Sequence, residues 1–185
     1  VTPNQFSAAV NALEKEKMEA LILDLRDNGG GLLKSAVSML DRVMSKGMVV
    51  YTKDKQGVSE KFYAEDVKHV SVPMAVLVNG NSASASEVFS GALQDKKKAK
   101  LIGTKTFGKG IVQTIFDLQD GSALKMTTSK YYTPSGHNIH GTGLEPDIKV
   151  ELEKSTVGQK DKNGKLKPDN QMQKAIDYLK GQIKG

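Results

Sequence analysis

Apolar and polar positions along the chain alternate between two periods. Residues 3–18 set Phe6, Val10 and Leu13 at helical spacing and close on a charged Glu14-Lys-Glu-Lys17 run, which predicts a first helix. Residues 20–25, Ala-Leu-Ile-Leu-Asp-Leu, form a short apolar block of buried-strand type, ended by the glycine turn of residues 27–31. An amphipathic helix is expected over 32–44, strands over 48–52 and 61–64, and a wholly apolar strand over 73–78. Asn79-Gly-Asn-Ser82 punctuates that strand, a helix follows over 84–94, and 99–102 is a short strand. Residues 111–116 and 122–127 read as strands, with Asp120-Gly121 as the hairpin turn between them. Strands alternating with helices make the expected class α/β.

From 153 to 170 the pattern fades into a lysine-rich, glycine-punctuated stretch that reads as an exposed loop or linker, and helical spacing returns over 172–183. The expected organisation is therefore a core over 1–152 followed by a linker and C-terminal helix over 153–185. That helix can either pack back on its own core or serve a homodimer contact.

Composition changes this picture little. At 185 residues one domain can bury roughly 70% of its extended-chain surface. The chain is 38% hydrophobic and 26% charged, and no apolar run approaches the roughly 18 residues that span a bilayer. A net charge of +6 raises the question of nucleic acid. The lysines gather at 96–100 and along the tail, without interleaved aromatics, so a solvated surface is the expectation and no nucleic-acid partner is assigned. With no cysteine, disulfides, thiolate metal sites and a cysteine nucleophile are excluded.

Three stretches carry candidate chemistry. Gly103-Thr-Lys-Thr-Phe-Gly-Lys-Gly110 comes within one residue of a phosphate-binding loop, but position 110 lacks the hydroxyl that would hold magnesium and a strand follows instead of a helix. Residues 79–87 place several serines where an apolar strand turns into a helix, a setting that can present a nucleophile. Ser84-Ala-Ser-Glu87 also fits a capping box, in which serine only satisfies orphan amides. His69, His137 and His140 lie in polar, loop-like segments, so a serine nucleophile would need another base, and a lysine between glycines is a candidate. Asp24-Leu-Arg-Asp-Asn-Gly-Gly-Gly31 offers free amides at a strand-to-helix turn, suited to an oxyanion. Within it, Arg26 and Asp27 read as organisers of the turn.

Together with Thr133-Pro-Ser-Gly-His-Asn-Ile-His-Gly-Thr-Gly-Leu-Glu-Pro-Asp147, these blocks closely resemble the carboxy-terminal processing, or tail-specific, serine proteases, in the family's order and over about 21–150. The resemblance implies a mixed-sheet core with flanking helices of the crotonase/ClpP-like protease type. It implies a Ser-Lys dyad of Ser84 and Lys109, twenty-five positions apart, with Gln113 orienting the lysine. The oxyanion would be held by the backbone of Ala85 and of Gly30, with Gly29 and Gly31 as alternatives. No metal or other cofactor is expected. A lysine takes a serine proton only when neutral, so the reading requires a dry setting, to which Phe107, Ile111 and the strand at 74–78 could contribute.

Gln113 would lie about 13 Å from Lys109 along a continuous strand, so the chain is expected to fold back around Gly108 and Gly110. The family further implies unfolded or C-terminally exposed polypeptide substrates, a regulatory PDZ domain and one more strand ahead of the core, and an extracytoplasmic location. A non-catalytic peptide- or ligand-binding module of the same fold is the alternative.

Overall fold

The computed structural model describes residues 2–65 and 68–183. Its elements in chain order are α1 (Thr2–Lys15), β1 (Leu21–Asp24), α2 (Leu33–Leu40), β2 (Gly47–Lys53), β3 (Val58–Ala64), β4 (Met74–Val78) and α3 (Ala85–Asp95). There follow β5 (Ala99–Gly103), β6 (Ile111–Asp117), β7 (Ala123–Tyr132), β8 (Ile148–Lys149) and α4 (Asn170–Ile183). The class is α/β, as expected, with one parallel and one antiparallel sheet.

The parallel sheet has the order β1-β4-β5-β8, and β4 is its apolar spine. All five β4 side chains are buried because both sheet faces are covered. Met74, Val76 and Val78 point to one face, into a core shared with Leu40 of α2 and Val88, Phe89, Ala92 and Leu93 of α3. Ala75 and Leu77 point to the other, where Ile102 and the α4 residues Ala175 and Leu179 close over them. Period-two alternation thus assigns successive β4 residues to two cores. The apolar stripe of helix α4 is spent on the chain's own parallel sheet, and burying two such side chains stabilises the fold by about 2–4 kcal/mol.

The second sheet, β3-β2-β7-β6, is antiparallel. Its inner part joins the first core through Val49, Val50 and Ala64. The β6–β7 hairpin projects beyond that core, with Ile115, Phe116, Leu124 and Met126 exposed. β7 runs five residues further than the alternation predicts, and α2 ends at Leu40, four residues earlier.

Candidate active site

Strand β4 delivers the chain to a turn that is tied to the end of β1. The Ser82 hydroxyl donates to the Leu25 carbonyl at 2.7 Å and accepts the Asn79 amide at 3.0 Å. Asn79 and Asn81 each donate a side-chain amide to Asp27 Oδ1, at 3.0 and 2.8 Å. Those two bonds, Asn81 first, hold the Asp27 carboxyl below its ordinary range. Arg26 grips Asp24 at 2.7 Å and Asp169, at the start of α4, at 2.9 Å, and the Asp24 hydrogen bond above all raises its affinity for its proton. Arg26 and Asp27 therefore organise the glycine turn, as their positions suggest.

Ser84 stands at the N-terminus of α3 with φ 57° and ψ −121°, a left-handed conformation that L side chains rarely adopt. Such geometry costs on the order of 1–3 kcal/mol and persists only where the surroundings enforce it. Here the enforcing group is Glu87, completely buried. Its Oε2 accepts the amides of Ser84 at 2.9 Å and Lys109 at 2.8 Å. Its Oε1 accepts the Gly108 amide at 2.7 Å and the Thr106 hydroxyl at 2.6 Å. One carboxylate thus binds the backbone of the candidate nucleophile to the backbone of the candidate base. The Ser84–Glu87 capping box is present, but its firm half is the glutamate's. The Glu87 amide donates to the Ser84 carbonyl at 2.9 Å, and the Ser84 hydroxyl makes no cap hydrogen bond.

The lysine loop is clamped from its far side by residues 139–144. Thr106 exchanges bonds with Leu144, the Gly141 amide donates to the Gly108 carbonyl at 2.9 Å, and the Phe107 amide to the Ser82 carbonyl at 3.0 Å. Gly110 is required by contact: a Cβ there would sit 2.6 Å from the His140 amide nitrogen. His137 Nε2 pairs with the Gly143 carbonyl at 2.7 Å inside the same clamp.

Around Ser84 the glycine turn packs closely. A Cβ on Gly30, whose φ is 92°, would lie 2.6 Å from the Ala83 carbonyl oxygen and 2.8 Å from the Ala85 nitrogen. The Gly30 amide is engaged, however, donating to Asn28 Oδ1 at 2.9 Å, and the Ser86 hydroxyl donates to the same oxygen at 3.0 Å. Gly30 can hold an oxyanion only if Asn28 turns aside. Gly31 borders a cleft of about 20 Å³ with Ser84 and Ala85. As the first residue of α3, Ala85 has no intrahelical acceptor for its amide.

The structure therefore gathers Ser84, Ala85, Gly30 and the Lys109 backbone in one place. Two expectations are not met in it. The Lys109 side chain is exposed, and Phe107, at 65% exposure, does not shield it. Gln113 is exposed on β6 opposite Thr127, just after a register shift, and no hydrogen bond among the described residues joins it to Lys109. Gly108, with φ 90°, does turn the chain, but toward residues 141–143. The sequence does not disclose Glu87 and Thr106 as shared supports, because S-x-x-E spacing shows only the contact within its own helix turn.

Comparison with known proteins agrees with these motifs. The family described as peptidase family S41 matches residues 1–150. A carboxyl-terminal-processing protease of Synechocystis sp. is 39% identical over 188 residues, covering 97% of this chain and 43% of the relative. A probable CtpA-like serine protease of Staphylococcus haemolyticus is 45% identical over 152 residues, covering 80% of this chain and 31% of its own length. The chain thus spans less than half the length of these curated relatives. Among solved structures, a photosystem II D1 C-terminal processing protease superposes with a TM-score of 0.76 at 39% identity, over 80% of this chain and 39% of that one. The tricorn protease, at 22% identity and a TM-score of 0.60 over 90% of this chain and 15% of its own, shares the fold.

Proposed function

Because the chain belongs to peptidase family S41, we propose that it carries the catalytic centre of a serine endopeptidase acting on unfolded or C-terminally exposed polypeptides. The observation that carries the reading is the Glu87 carboxylate, which ties a strained Ser84 at a helix N-terminus to the Lys109 loop. A serine that served only as a cap would not need that backbone conformation.

In the proposed reaction the Ser84 Oγ attacks the peptide carbonyl while its proton passes to the neutral Lys109 amine. The carbonyl oxygen, now negative, is met by the Ala85 amide and by an amide of the glycine turn, each such donor being worth about 3–4 kcal/mol in the transition state. As the tetrahedral species collapses, the leaving amine takes the proton from Lys109 and departs. Water then repeats the sequence on the acyl-Ser84 ester and releases the acid. An extended substrate laid over the exposed lysine would displace water and supply the dryness that proton transfer requires. Gln113 would orient the amine in that closed state. In the longer protein, a PDZ domain ahead of the core and an extracytoplasmic location complete the proposal.

The exposed lysine, without a hydrogen bond to Ser84, is what favours the second reading, a binding module of the same fold. Mass-spectrometric detection of casein cleavage by the protein, by Ser84→Ala and by Lys109→Ala separates the two. Loss of all cleavage in both variants is the expected result. Cleavage that survives Lys109→Ala rejects lysine as base, and no cleavage by any form leaves the binding module in its place.

A further inference from the structure

The start of α4 is bonded to the segment that follows β1. Arg26 Nη1 donates to Asp169 Oδ2 and to Gln171 Oε1, each at 2.9 Å, although 143 and 145 positions separate the partners in the chain. We propose that Asp169 and Gln171 are positioning residues for peptide cleavage: through Arg26 they fix the glycine turn whose amides meet the oxyanion. The role rests on Ser84 being the nucleophile, and it falls to residues on a layer outside the cluster of Ser84, Glu87 and Lys109.

The turn does not hold itself. Asp27 and Gly30 are both left-handed, at φ 59° and 92°, and a non-glycine residue in that region persists only where its neighbours enforce it. From the β4 side, Asn79 and Asn81 do so by bonding the Asp27 carboxylate. From the β1 side the support is Arg26, whose partners are not equivalent. Asp24 receives Nε and Nη2, but it is exposed, lies two residues away and moves with the same segment. Among the described residues, only Asp169 and Gln171 bind the Arg26 side chain to a different element.

That element is firmly anchored. Asp169 Oδ1 accepts the Met172 amide at 2.9 Å and so caps α4, while Oδ2 holds Arg26. Gln171 is 1% exposed, and its Nε2 donates to the Val150 carbonyl at 2.7 Å, which turns its oxygen toward the guanidinium. Further along the helix, Ala175 and Leu179 pack against Ala75, Leu77 and Ile102 of the sheet. Rigidity therefore passes from the sheet through α4 to Arg26, and from Arg26 to the turn. A slightly displaced turn still lets a peptide bind, but it weakens the amide bonds that form only as the carbonyl oxygen becomes negative. The loss falls on kcat and leaves KM alone.

The test measures kcat and KM on an internally quenched peptide for the wild-type protein, Asp169→Asn, Gln171→Met and Leu179→Ala. Asparagine caps a helix about as well as aspartate, so Asp169→Asn keeps α4 while an NH₂ replaces the oxygen that accepts from Arg26. Gln171→Met keeps the length of the side chain without its oxygen, and it carries the measurement if Asp169→Asn does not fold. Leu179→Ala weakens the other end of α4 without touching Arg26. The expected result is kcat lowered by at least about tenfold in Asp169→Asn and Gln171→Met, with KM within about twofold of wild type. Leu179→Ala, assayed below its Tm, should keep both constants. Amide hydrogen exchange read by NMR follows the turn at Gly30 and Ala83, whose amides are both bonded to Asn28. Exchange at these two should quicken in Asp169→Asn while the amides of α4 stay protected. Cleavage by the wild type with kcat unchanged in Asp169→Asn and Gln171→Met overturns the positioning role and leaves Ser84 as nucleophile. An equal fall of kcat in Leu179→Ala, which would mark general loss of stability, overturns it as well, and so does unchanged exchange at the turn. No cleavage by the wild type overturns the catalytic reading and the positioning role with it.

Discussion

Replacing Glu87 by glutamine changes one atom in the element that joins the two halves of the candidate dyad. Glutamine has the same shape but presents one acceptor oxygen and one NH₂ donor. The glutamate side chain receives four donors, two on each oxygen. If the NH₂ replaces Oε2, the Ser84 and Lys109 amides lose their acceptor together. If it replaces Oε1, the Gly108 amide is orphaned, and the Thr106 hydroxyl must accept from glutamine while already accepting the Leu144 amide at 2.7 Å. Either way two donors lose their acceptor around a side chain that is itself completely buried.

At about 1–3 kcal/mol for each buried donor left unsatisfied, the substitution costs about 4 kcal/mol. Set against a typical total of about 5–15 kcal/mol, that is a large fraction. For a chain of this size it lowers Tm by about 8–16 °C. Urea unfolding gives the free energy, and amide hydrogen exchange read by NMR locates the damage, with protection lost first at Ser84, Gly108 and Lys109. Cleavage should fall in parallel, because Ser84 is then free to leave its strained conformation. A Glu87→Gln variant within about 1 kcal/mol of wild type, with those three amides still protected, would show that the carboxylate is not the tie.

Ser84→Gly removes the left-handed strain at φ 57°, so it should abolish cleavage yet raise stability by about 1 kcal/mol, as thermal melts of the two proteins would show. Leu179→Ala, at 3% exposure against β4 and β5, should cost about 2–5 kcal/mol in denaturant titration, and a cost under about 1 kcal/mol would contradict the assignment of α4 to the core. Burial alone would raise the Asp147 carboxyl, but its bonds to Lys100, the Leu101 amide and Gln94 outweigh that and hold it below the ordinary carboxylate range. A depressed carboxyl adds stability above its unfolded value and loses it as the group protonates in the fold. Stability should therefore decline as pH falls below about 4, and Asp147→Asn should flatten that limb of the curve.

Legibility of the fold followed burial. β4 declares itself as Met-Ala-Val-Leu-Val because both its faces are covered, and α3 because its start is capped and its inner face is apolar. The second half of β7 does not: Thr128, Ser129 and Lys130 are all polar, so no alternation of apolar and polar positions marks the strand there. β8 is two residues long and is defined by its pairing with Ile102 and Gly103 of β5, a long-range fact with no local signature.

The site divides along the same physical line. Ser84, Lys109 and the glycine turn can be named from the sequence because the blocks that hold them resemble those of the tail-specific proteases, whereas local spacing alone leaves Ser84 a helix cap and Lys109 a loop lysine. What converts them into a candidate centre is convergence across long sequence separations. The Glu87 side chain reaches twenty-two residues ahead to Lys109, and the Asn28 main chain accepts the Ala83 amide at 3.0 Å from across the sheet. Spacing shows that Glu87 can cap α3, but not that the same carboxylate has three further donors. Nor does it show that Asn28 occupies the Gly30 amide. Because Lys109 is held at its backbone while its amine stands in solvent, the geometry that remains to be completed is confined to one side chain and its immediate cover. In the proposed mechanism, proton transfer from Ser84 depends on how an extended substrate lies across that amine, so shortening a substrate on the Lys109 side should lower kcat more than it raises KM.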